Sequence, residues 1–538
     1  MIMPSVFSLP RPLQIRPDKS EFLQMASTGA ISPVYAEIPF ISPNLLYPVF
    51  SGTGSILLES VRGTSSQGTT PETNPQEASP RNQINRYSFL CFKPYASFKL
   101  QNGMVEVEAM GRKSVSTKKD PLSRLKEFLD AYPQTPAPQL PPFQGGAAGL
   151  LAYGFVNYLE KLSVPRPPES PEIPDAFFYL YDRLITFDHE LQKAWIISCP
   201  AAKETRLGYN PLDEKFPGWD KSYGEACSII NAIADKLCAV QPAHKPIASE
   251  IRAATHEMDI AHATSKRDYT GMVERAKEYI ASGDIFQANL SLRLQADTGG
   301  ANPWEIYSVL RKVNPAPFAC FMDFGNFRIA SSSPERLVLV KDGEVCTRPI
   351  AGTRPRGKDL PQDDLLKSEL LLSEKERAEH IMLIDLERND LGRVSVYGSV
   401  EVDELMTVEY YSHVMHIVSN VRGKLAPGKT AFDCIKAAFP GGTITGVPKV
   451  RCMEIINELE PVGRGAYTGS AGYIGFGGGM DLNIIIRTFL IKDGTAYVQA
   501  GAGIVADSSP EKEYEESLRK AEALLVTLKM VWNKPDFI

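Results

Sequence analysis

The sequence lacks any pair of cysteines at the Cys-x-x-Cys spacing, although it has eight cysteines in 538 residues. This absence argues against a zinc ribbon and against a thioredoxin-type redox motif. Most of the cysteines lie within apolar stretches, where reduced and buried thiols are expected. The pattern predicts a reducing compartment, and we expect a cytoplasmic protein.

Long apolar runs are also missing from the chain. No run approaches the roughly 20 residues that span a bilayer, and no secretory signal pattern stands at the N-terminus. The net charge of -6 gives no basis for binding nucleic acid. Hydrophobic residues at 43% and charged residues at 23% are ordinary for a globular protein. We therefore expect neither a membrane nor a nucleic acid as partner.

Two polar stretches divide the chain. Thr64–Asn85 contains almost no hydrophobic side chains and follows a strand-like segment, so we expect a loop inserted between two strands. Gln241–Ile251 is also polar and predicts a domain boundary near residue 250. The prediction is an N-terminal region of residues 1–250, as scaffold or regulatory unit with the polar insertion at 64–85, and a catalytic domain of residues 251–538.

The pattern beyond this boundary predicts the fold class. Two Lys-Asp-Gly turns predict hairpins between the alternating runs Arg328–Val340 and Glu344–Ile350, and between Ile484–Ile491 and Ala496–Val505. Helical periodicity covers Tyr269–Ser282, Leu365–Leu386, Ala431–Phe439, Arg451–Leu459 and a last helix from Pro510 to about Trp532. Hairpin strands with helices between them predict an α+β fold, with large antiparallel sheets covered by helices.

Two pairs of glutamates stand out in the predicted helices. Glu376 and Glu379 lie one turn apart on one helix, and Glu513 and Glu516 repeat this spacing on the last helix. Two such faces brought together would form an oxygen-rich site suited to Mg²⁺. Spacing alone favours the alternative, which is two solvated and charged helix faces.

Three further features could carry chemistry. The glycine-rich segment from Gly441 to Lys449 opens a helix and can receive an anion, although a plain tight turn explains it equally well. His416 is a candidate proton-transfer group, but a histidine in an apolar run is more often a hydrogen-bonded core residue. Arg487 follows three isoleucines and must find an anion, either a structural carboxylate or a substrate's.

A dense series of motifs resembles the chorismate-binding enzymes, comprising anthranilate synthase component I, aminodeoxychorismate synthase component I, and the isochorismate and salicylate synthases. The motifs run in order from about Tyr269 to the C-terminus: Gly283–Gln287, Ser333–Glu335, Arg348–Gly357, Ala378–His380, Asp385–Asp390, Tyr467–Ser470 and Gln499–Asp507. The resemblance is patchier before Tyr269. It implies an anthranilate synthase component I-like fold with Mg²⁺ as cofactor and chorismate as substrate.

The resemblance also implies roles for the residues found above. The implied direct Mg²⁺ ligands are Glu379 and Glu516, with Glu376 and Glu513 as water-mediated or alternate ligands. Arg487 and Tyr467 would take the enolpyruvyl carboxylate of chorismate. The residues expected to line the substrate pocket are Gly352, Thr353, Gly501, Ala502, Gly503, Lys449 and Gln287. His416 would act as general acid or base, and Glu335 and Thr443 are further candidates for proton handling.

Two positions bear on the reaction that the resemblance implies. Family members that add water carry a lysine base where this chain has Gln287, so we expect ammonia as nucleophile. Ala351 stands where some aminodeoxychorismate synthases carry a nucleophilic lysine, which excludes a covalent lysine intermediate at this site. Ala351 does not decide the product, because anthranilate synthases and other aminodeoxychorismate synthases also have alanine there.

A possible effector site and a partner complete the expectations. Ser60 matches a tryptophan-contacting serine of feedback-inhibited anthranilate synthases, but Pro317, Phe318 and Ala319 replace the usual Pro-Tyr-Met, so tight tryptophan inhibition is not expected. The chain has no Gly-x-Cys-x-Gly glutaminase elbow, so a separate glutamine amidotransferase subunit must deliver ammonia. The first hypothesis is an aminodeoxychorismate synthase component I; the alternatives are an anthranilate synthase component I and a non-catalytic binding paralogue.

Overall fold

The computed structural model describes residues 9, 11–61, 84–109, 111–117, 120–204, 218–239, 258–410 and 414–532. Residues 64–83 of the predicted polar loop and the predicted boundary around residue 250 lie outside these ranges. The helices of the described residues are α1 Lys19–Ser27, α2 Pro43–Phe50, α3 Ser123–Asp130, α4 Trp219–Cys238, α5 Lys266–Ala281, α6 Pro303–Val313, α7 Leu360–Leu372, α8 Glu374–Gly392, α9 Ala431–Ala438, α10 Lys449–Leu459 and α11 Pro510–Trp532. None of these helices has the length and apolar character required to cross a membrane.

The strands form two sheets. The first contains, in chain order, β1 Ile15–Arg16, β2 Val34–Pro39, β3 Ile56–Glu59, β4 Tyr87–Cys91, β10 Arg183–Asp188, β11 Lys193–Ser198, β12 Ala261–His262, β13 Gln287–Asp297, β14 Phe318–Asp323, β15 Arg328–Ser333, β21 Gly446–Val447, β24 Thr488–Lys492 and β25 Thr495–Ile504. The second contains β5 Ala96–Gln101, β6 Met104–Ala109, β7 Arg112–Thr117, β8 Gly146–Leu151, β9 Ala176–Tyr181, β16 Arg336–Lys341, β17 Glu344–Thr347, β18 Ile350–Pro355, β19 Glu401–Tyr410, β20 Val414–Lys424, β22 Ser470–Gly475 and β23 Met480–Ile484.

Every pairing of these strands within the two sheets is antiparallel. The order of the first sheet is β1-β2-β11-β10-β4-β3-β14-β15-β24-β25-β13-β12, with β21 on β13. The order of the second is β18-β20-β17-β16-β23-β22-β8-β9-β5-β6-β7, with β19 on β20. The predicted α+β fold with large antiparallel sheets covered by helices is confirmed.

Three buried clusters hold the layers together. The inner faces of both sheets meet in one cluster, which joins Phe89 of the first sheet to Phe143 and to Tyr473 of the second. A second cluster packs the outer face of the first sheet against helices such as α4 and α11. A third packs the outer face of the second sheet against α3 and α9. The result is a sandwich of two sheets with helices on both outer faces.

Both halves of the chain contribute strands to both sheets. In the first sheet β3 pairs with β14, with Leu58 opposite Cys320. In the second sheet β8 pairs with β22, with Leu150 opposite Ala471. The segments on either side of residue 250 therefore share one sandwich and one inner core.

Two predicted strands are each divided between the sheets. The run Arg328–Val340 forms β15 in the first sheet and β16 in the second, and the chain crosses over at Pro334 and Glu335. The run Ile484–Ile491 is likewise divided between β23 and β24, with Arg487 at the crossover in a left-handed conformation, φ 50°. The prediction of single strands was wrong here, because the apolar pattern persists while the pairing partner changes.

The predicted hairpin turns and most of the helices are confirmed. Asp342 with Gly343 and Asp493 with Gly494 adopt positive φ values, as a type I′ turn requires, and join β16 to β17 and β24 to β25. The single helix predicted over Leu365–Leu386 is wrong. It is two helices, because the Ser373 side chain accepts a hydrogen bond from the backbone N–H of Glu376 and starts α8.

One buried ion pair between the two halves provides a test of the shared core. The Arg311 guanidinium on α6 donates to both carboxylate oxygens of Glu59 at 2.6 and 2.9 Å, and the Glu59 side chain is only 1% exposed. We expect Arg311→Met to lower the free energy of unfolding by about 3 kcal/mol, because Glu59 would remain buried without its cation. Urea denaturation measures this loss, and a change below about 1 kcal/mol would contradict it.

Candidate active site

The two crossovers between the sheets lie side by side. The backbone N–H of Ser332 donates to the carbonyl of Arg487 at 3.1 Å, and that of Ile484 donates to the carbonyl of Glu335 at 3.0 Å. Glu335 and Arg487 are therefore held at one place in the sandwich by the backbone of the neighbouring crossover. An arginine with positive φ is uncommon, and such backbone strain is often found at functional sites.

The Glu335 carboxyl is buried and close to neutrality. Burial raises its pKa to about 7, and the nearby Thr443 hydroxyl and the charge of Arg487 only partly oppose this rise. A carboxyl group with a pKa near the working pH can donate a proton as well as accept one. Glu335, with Thr443 beside it, stays a candidate for proton handling.

His416 on β20 faces the same site in its neutral form. Its Nδ1 is 3.2 Å from the carbonyl oxygen of Gly352 and 2.9 Å from the Thr353 hydroxyl. Donation from Nδ1–H to the carbonyl leaves the lone pair on Nε2. Burial, helped by the positive charge of Arg487, lowers the pKa of His416 to about 3. His416 is therefore a neutral imidazole at neutral pH and has no proton on Nε2 to supply.

The two glutamate pairs are brought to a common site by α8 and α11. Burial, reinforced by repulsion between neighbours, raises the pKa of Glu379 beside Glu376 and the pKa of Glu513 beside Glu516. The charges of Lys375 and Lys520 act on Glu379, Glu513 and Glu516 alike, which places all three around the same two cations. Both pairs thus lie within electrostatic range of the same two lysines, and their convergence on one metal ion stays a prediction.

Three of the four carboxylates have different side-chain partners. Glu516 forms an ion pair with Lys520 at 2.9 Å; burial raises the Glu516 pKa, but the attraction of Lys520 and of other nearby cations makes the net shift downward. Glu379 accepts a hydrogen bond from Gln287 Nε2 at 3.0 Å. Glu376 accepts one from Arg354 at 3.2 Å.

The glutamates fit Mg²⁺ by chemistry and number. Mg²⁺ usually takes one or two carboxylates and completes its octahedron with water and substrate oxygens. In the described ranges no three His, Cys, Asp or Glu side chains are close enough to hold a metal ion between them. Burial raises the pKa values of Glu379 and Glu513, and the repulsion that adds to this rise is negative charge that a divalent cation would neutralise.

Three glycines among the predicted substrate-pocket residues lie close to these groups. Gly352 has φ 65° and lets Glu376 approach, since a Cβ there would lie 3.0 Å from a carboxylate oxygen. Gly501 and Gly503 on β25 make room for Asn289 and Gln287 in the same way. Ala502 is different, because its side chain packs into the outer core beneath the helices.

Tyr467 stands next to the second crossover. The following residue, Thr468, donates its backbone N–H to the carbonyl of Ile485 at 2.8 Å. The Arg464 guanidinium lies 5.6 Å from the centroid of the Tyr467 ring and forms a fully buried ion pair with Glu460. Burial raises the pKa of the Tyr467 hydroxyl, so Tyr467 acts as a neutral hydrogen-bonding group.

Lys449 has a structural partner. Its Nζ donates to Asp390 of α8 at 2.5 Å and to the carbonyl of Ala438 at 3.3 Å, and the side chain is 13% exposed. The glycine-rich segment before it is held close to α8, since a Cβ on Gly442 would lie 2.1 Å from Leu386. Lys449 therefore ties this segment to α8, and its charge is already balanced by Asp390.

The four predicted effector residues line one cavity. Ser60, Pro317, Phe318 and Ala319 surround a space of about 320 Å³ between the two sheets. The Ser60 hydroxyl donates to the carbonyl of Pro317 at 3.0 Å, and the Arg336 guanidinium lies 5.0 Å from the Phe318 ring centroid. The two glutamate pairs of α8 and α11 do not line this cavity, which has room for a small ligand.

Comparison with known proteins agrees with this geometry. The family model described as chorismate binding enzyme matches residues 72–526. The chain belongs to the chorismate-binding enzymes. It is 41% identical over 445 residues to an aminodeoxychorismate synthase component 1 from Bacillus subtilis (strain 168), covering 83% of this chain and 90% of the relative. It is 42% identical over 443 residues to an anthranilate synthase component 1 from Acetivibrio thermocellus, covering 82% and 86%.

Solved structures of this family share the fold. The anthranilate synthase component I from Streptococcus pneumoniae TIGR4 aligns with a TM-score of 0.69 and 34% identity, over 90% of this chain and 97% of that one. The isochorismate synthase MenF from Escherichia coli aligns with a TM-score of 0.64 at 17% identity, over 94% and 98%. The second likeness concerns the fold alone.

One site residue of this chorismate-binding enzyme escaped the sequence analysis. Lys520 on α11 donates to the carbonyl of Gly501 at 3.0 Å and pairs with Glu516, and its charge also acts on Glu335 and His416. The sequence did contain a signal, because a lysine four residues after a glutamate on a helix lies on the same face. Lys520 is therefore a further cation of the candidate site, in addition to Arg487.

Proposed function

We propose that this protein is the large component of a chorismate-aminating enzyme, which combines chorismate with ammonia from a separate glutaminase to give 4-amino-4-deoxychorismate. The observation that carries the proposal is Gln287, which sits against Glu379 at the centre of the site. An amide side chain is not a base for activating water, so the nucleophile is one that needs no such base. Ammonia, with its own lone pair, meets this requirement.

The remaining residues support this chemistry. Arg487 and Tyr467 bind the enolpyruvyl carboxylate, and Glu335 protonates the departing C4 hydroxyl as general acid. Glu379 and Glu516 would hold Mg²⁺, with Glu376 and Glu513 beside them. When bound there, Mg²⁺ neutralises the ring carboxylate of chorismate and acts as a Lewis acid on the leaving hydroxyl oxygen.

A second candidate is anthranilate synthase component I. Close relatives carry that name, and the unprotonated His416 is the candidate group for removing a ring proton when pyruvate is eliminated. The two candidates share substrate, nucleophile and metal. They differ in whether the enolpyruvyl group stays on the product.

The product decides between them. Purified protein incubated with chorismate, Mg²⁺ and ammonium at mildly alkaline pH is expected to give an amino product that retains the enolpyruvyl group. Mass spectrometry and fluorescence identify the product, and a separate lyase should then convert it to 4-aminobenzoate. Anthranilate with pyruvate would support the second candidate instead. An absence of turnover with ammonium and with a glutaminase-coupled supply would leave a non-catalytic binding protein.

A further inference from the structure

The inner face of β13 carries a row of polar side chains. Gln287, Asn289, Ser291 and Arg293 alternate along the strand and are all buried, with Arg293 only 7% exposed. The residues between them face the outer core. At about 3.3 Å per residue, the row extends for about 20 Å through the interior of the sandwich. Polar groups buried to this extent cost free energy unless hydrogen bonds satisfy them.

Three members of this polar row have an unsatisfied atom. In the part of the chain that the structure describes, Gln287 Oε1, Asn289 Oδ1 and Arg293 Nε have no hydrogen-bond partner. Ser291 is bonded to Glu460 at 2.8 Å. Buried polar atoms without a protein partner are normally met by water or by a small polar ligand. The polar row therefore offers hydrogen-bonding atoms to a small molecule along its length.

The inner end of the row is the candidate active site, since Gln287 contacts Glu379. The outer end opens into a cavity of about 30 Å³ lined by Arg293, Gln499, Tyr467 and Glu169. A second cavity of about 10 Å³ adjoins it and shares Glu169 and Arg464. Volumes of this size hold one or a few molecules as small as water or ammonia.

Glu169 stands at the outer end of the row. It belongs to a proline-rich segment that is fixed by a hydrogen bond from the N–H of Gly463 to the carbonyl of Pro168 at 2.9 Å. A Cβ on Gly463 would lie 2.5 to 2.7 Å from the Glu169 carboxylate, so this glycine makes room for it. Glu169 Oε2 is buried without a partner in the described structure, whereas Ser170 and Glu172 nearby are exposed.

The charges along the passage select for a neutral molecule. The guanidinium groups of Arg293 and Arg464 line the cavity behind Glu169, and Arg464 is already paired with Glu460. The charge of Arg293 repels an ammonium ion, whereas ammonia carries no charge and can bond to the unsatisfied atoms of the polar row. Glu169 is the carboxylate in this cavity that can take the proton that ammonium must lose.

We propose, on the basis of the proposed function, that the polar row from Glu169 to Gln287 is the entrance by which ammonia reaches the active site. At the mouth, an N–H bond of ammonium breaks and its proton joins the Glu169 carboxylate, leaving the electron pair on nitrogen. Ammonia then moves inward past Arg293, and the Glu169 carboxyl returns its proton to solvent.

The electrostatics of the mouth support this step. Burial raises the pKa of Glu169 to about 7, so its carboxylate can exchange a proton near neutral pH. The charged groups that face it are Arg166 and Asp175 beside it, Arg293 from β13 and Arg464 behind Gly463.

Two variants test the entrance by different means. We expect Glu169→Gln, which removes the proton acceptor, and Leu490→Trp, which fills the outer cavity, each to raise the KM for ammonium about tenfold at pH 7. In Glu169→Gln, the kcat at saturating ammonium and the KM for chorismate should stay within about twofold of the wild type. Leu490→Trp is judged by its KM for ammonium alone, because Tyr467 lines the same cavity. The matched control is Glu172→Gln, an exposed glutamate three residues away, which should leave all three constants unchanged.

The result separates this proposal from the proposed function. The entrance is refuted if the wild type turns over chorismate with ammonium but both variants keep its KM for ammonium. It is also refuted if Glu169→Gln raises the KM for chorismate as much as the KM for ammonium. If Leu490→Trp fails to fold, Glu169→Gln alone decides. A wild type that gives no amino product at all refutes the proposed function.

Discussion

Replacing Glu379 by glutamine is expected to abolish Mg²⁺-dependent turnover of chorismate, with a loss of more than about 10³-fold in kcat/KM. The substitution removes one negative charge and keeps the shape of the side chain. The glutamine can still accept the hydrogen bond that Gln287 now donates to Glu379 Oε1. The expected loss therefore comes from the missing carboxylate ligand and not from collapse of the site.

The same loss is expected for Glu516→Gln on the facing helix. Each helix offers its own control, because Glu374 on α8 and Glu515 on α11 are exposed and can be changed to glutamine in the same way. Turnover as a function of Mg²⁺ concentration, with calorimetric Mg²⁺ binding in the presence of chorismate, measures the effect. Near-normal turnover in either Glu379→Gln or Glu516→Gln, with circular dichroism unchanged, would refute the metal assignment.

The sequence predicted those features of the fold that depend on a few neighbouring residues. The two Lys-Asp-Gly turns are confirmed because Asp-Gly adopts positive φ at low cost wherever it occurs. The last helix is confirmed from Pro510 to Trp532 because its periodicity is local.

The crossovers could not be predicted in this way. The runs Arg328–Val340 and Ile484–Ile491 are apolar throughout, and each looks like one strand. What divides them is pairing with distant segments: β15 pairs with β14 and β24, whereas β16 pairs with β17 and β23. A strand buried on both faces has the same composition in either sheet.

The same limit applies to the candidate site. Glutamate spacing located each half of the proposed metal site, but the placement of both halves near Lys375 and Lys520 depends on tertiary packing. Resemblance to the family implied the role of Arg487. Its proximity to Glu335 could not be predicted, because Glu335 lies 152 residues earlier in the chain. Lys449 looked available from its spacing, and only the structure reveals its ion pair with Asp390.

The last prediction concerns the general acid. We expect Glu335→Gln to lower the kcat/KM for chorismate by about 10² to 10⁴-fold, which is the usual contribution of a positioned proton donor. Because burial raises the pKa of Glu335 to about 7, its acid form predominates below that pH and is lost above it. The wild-type kcat/KM should therefore fall as the pH rises through about 7, and this limb should be absent in the variant.

A second buried carboxyl makes the test specific. Burial and the negative charge of Asp390 raise the pKa of Glu387 on α8, and the charge of Glu335 adds to this rise. Glu387→Gln removes this group but leaves Glu335 in place, so the limb near pH 7 should persist in that variant. Profiles of kcat/KM against pH for both variants, at saturating Mg²⁺ and ammonia, measure this difference. A limb that disappears in Glu387→Gln and remains in Glu335→Gln would assign the proton to Glu387 instead.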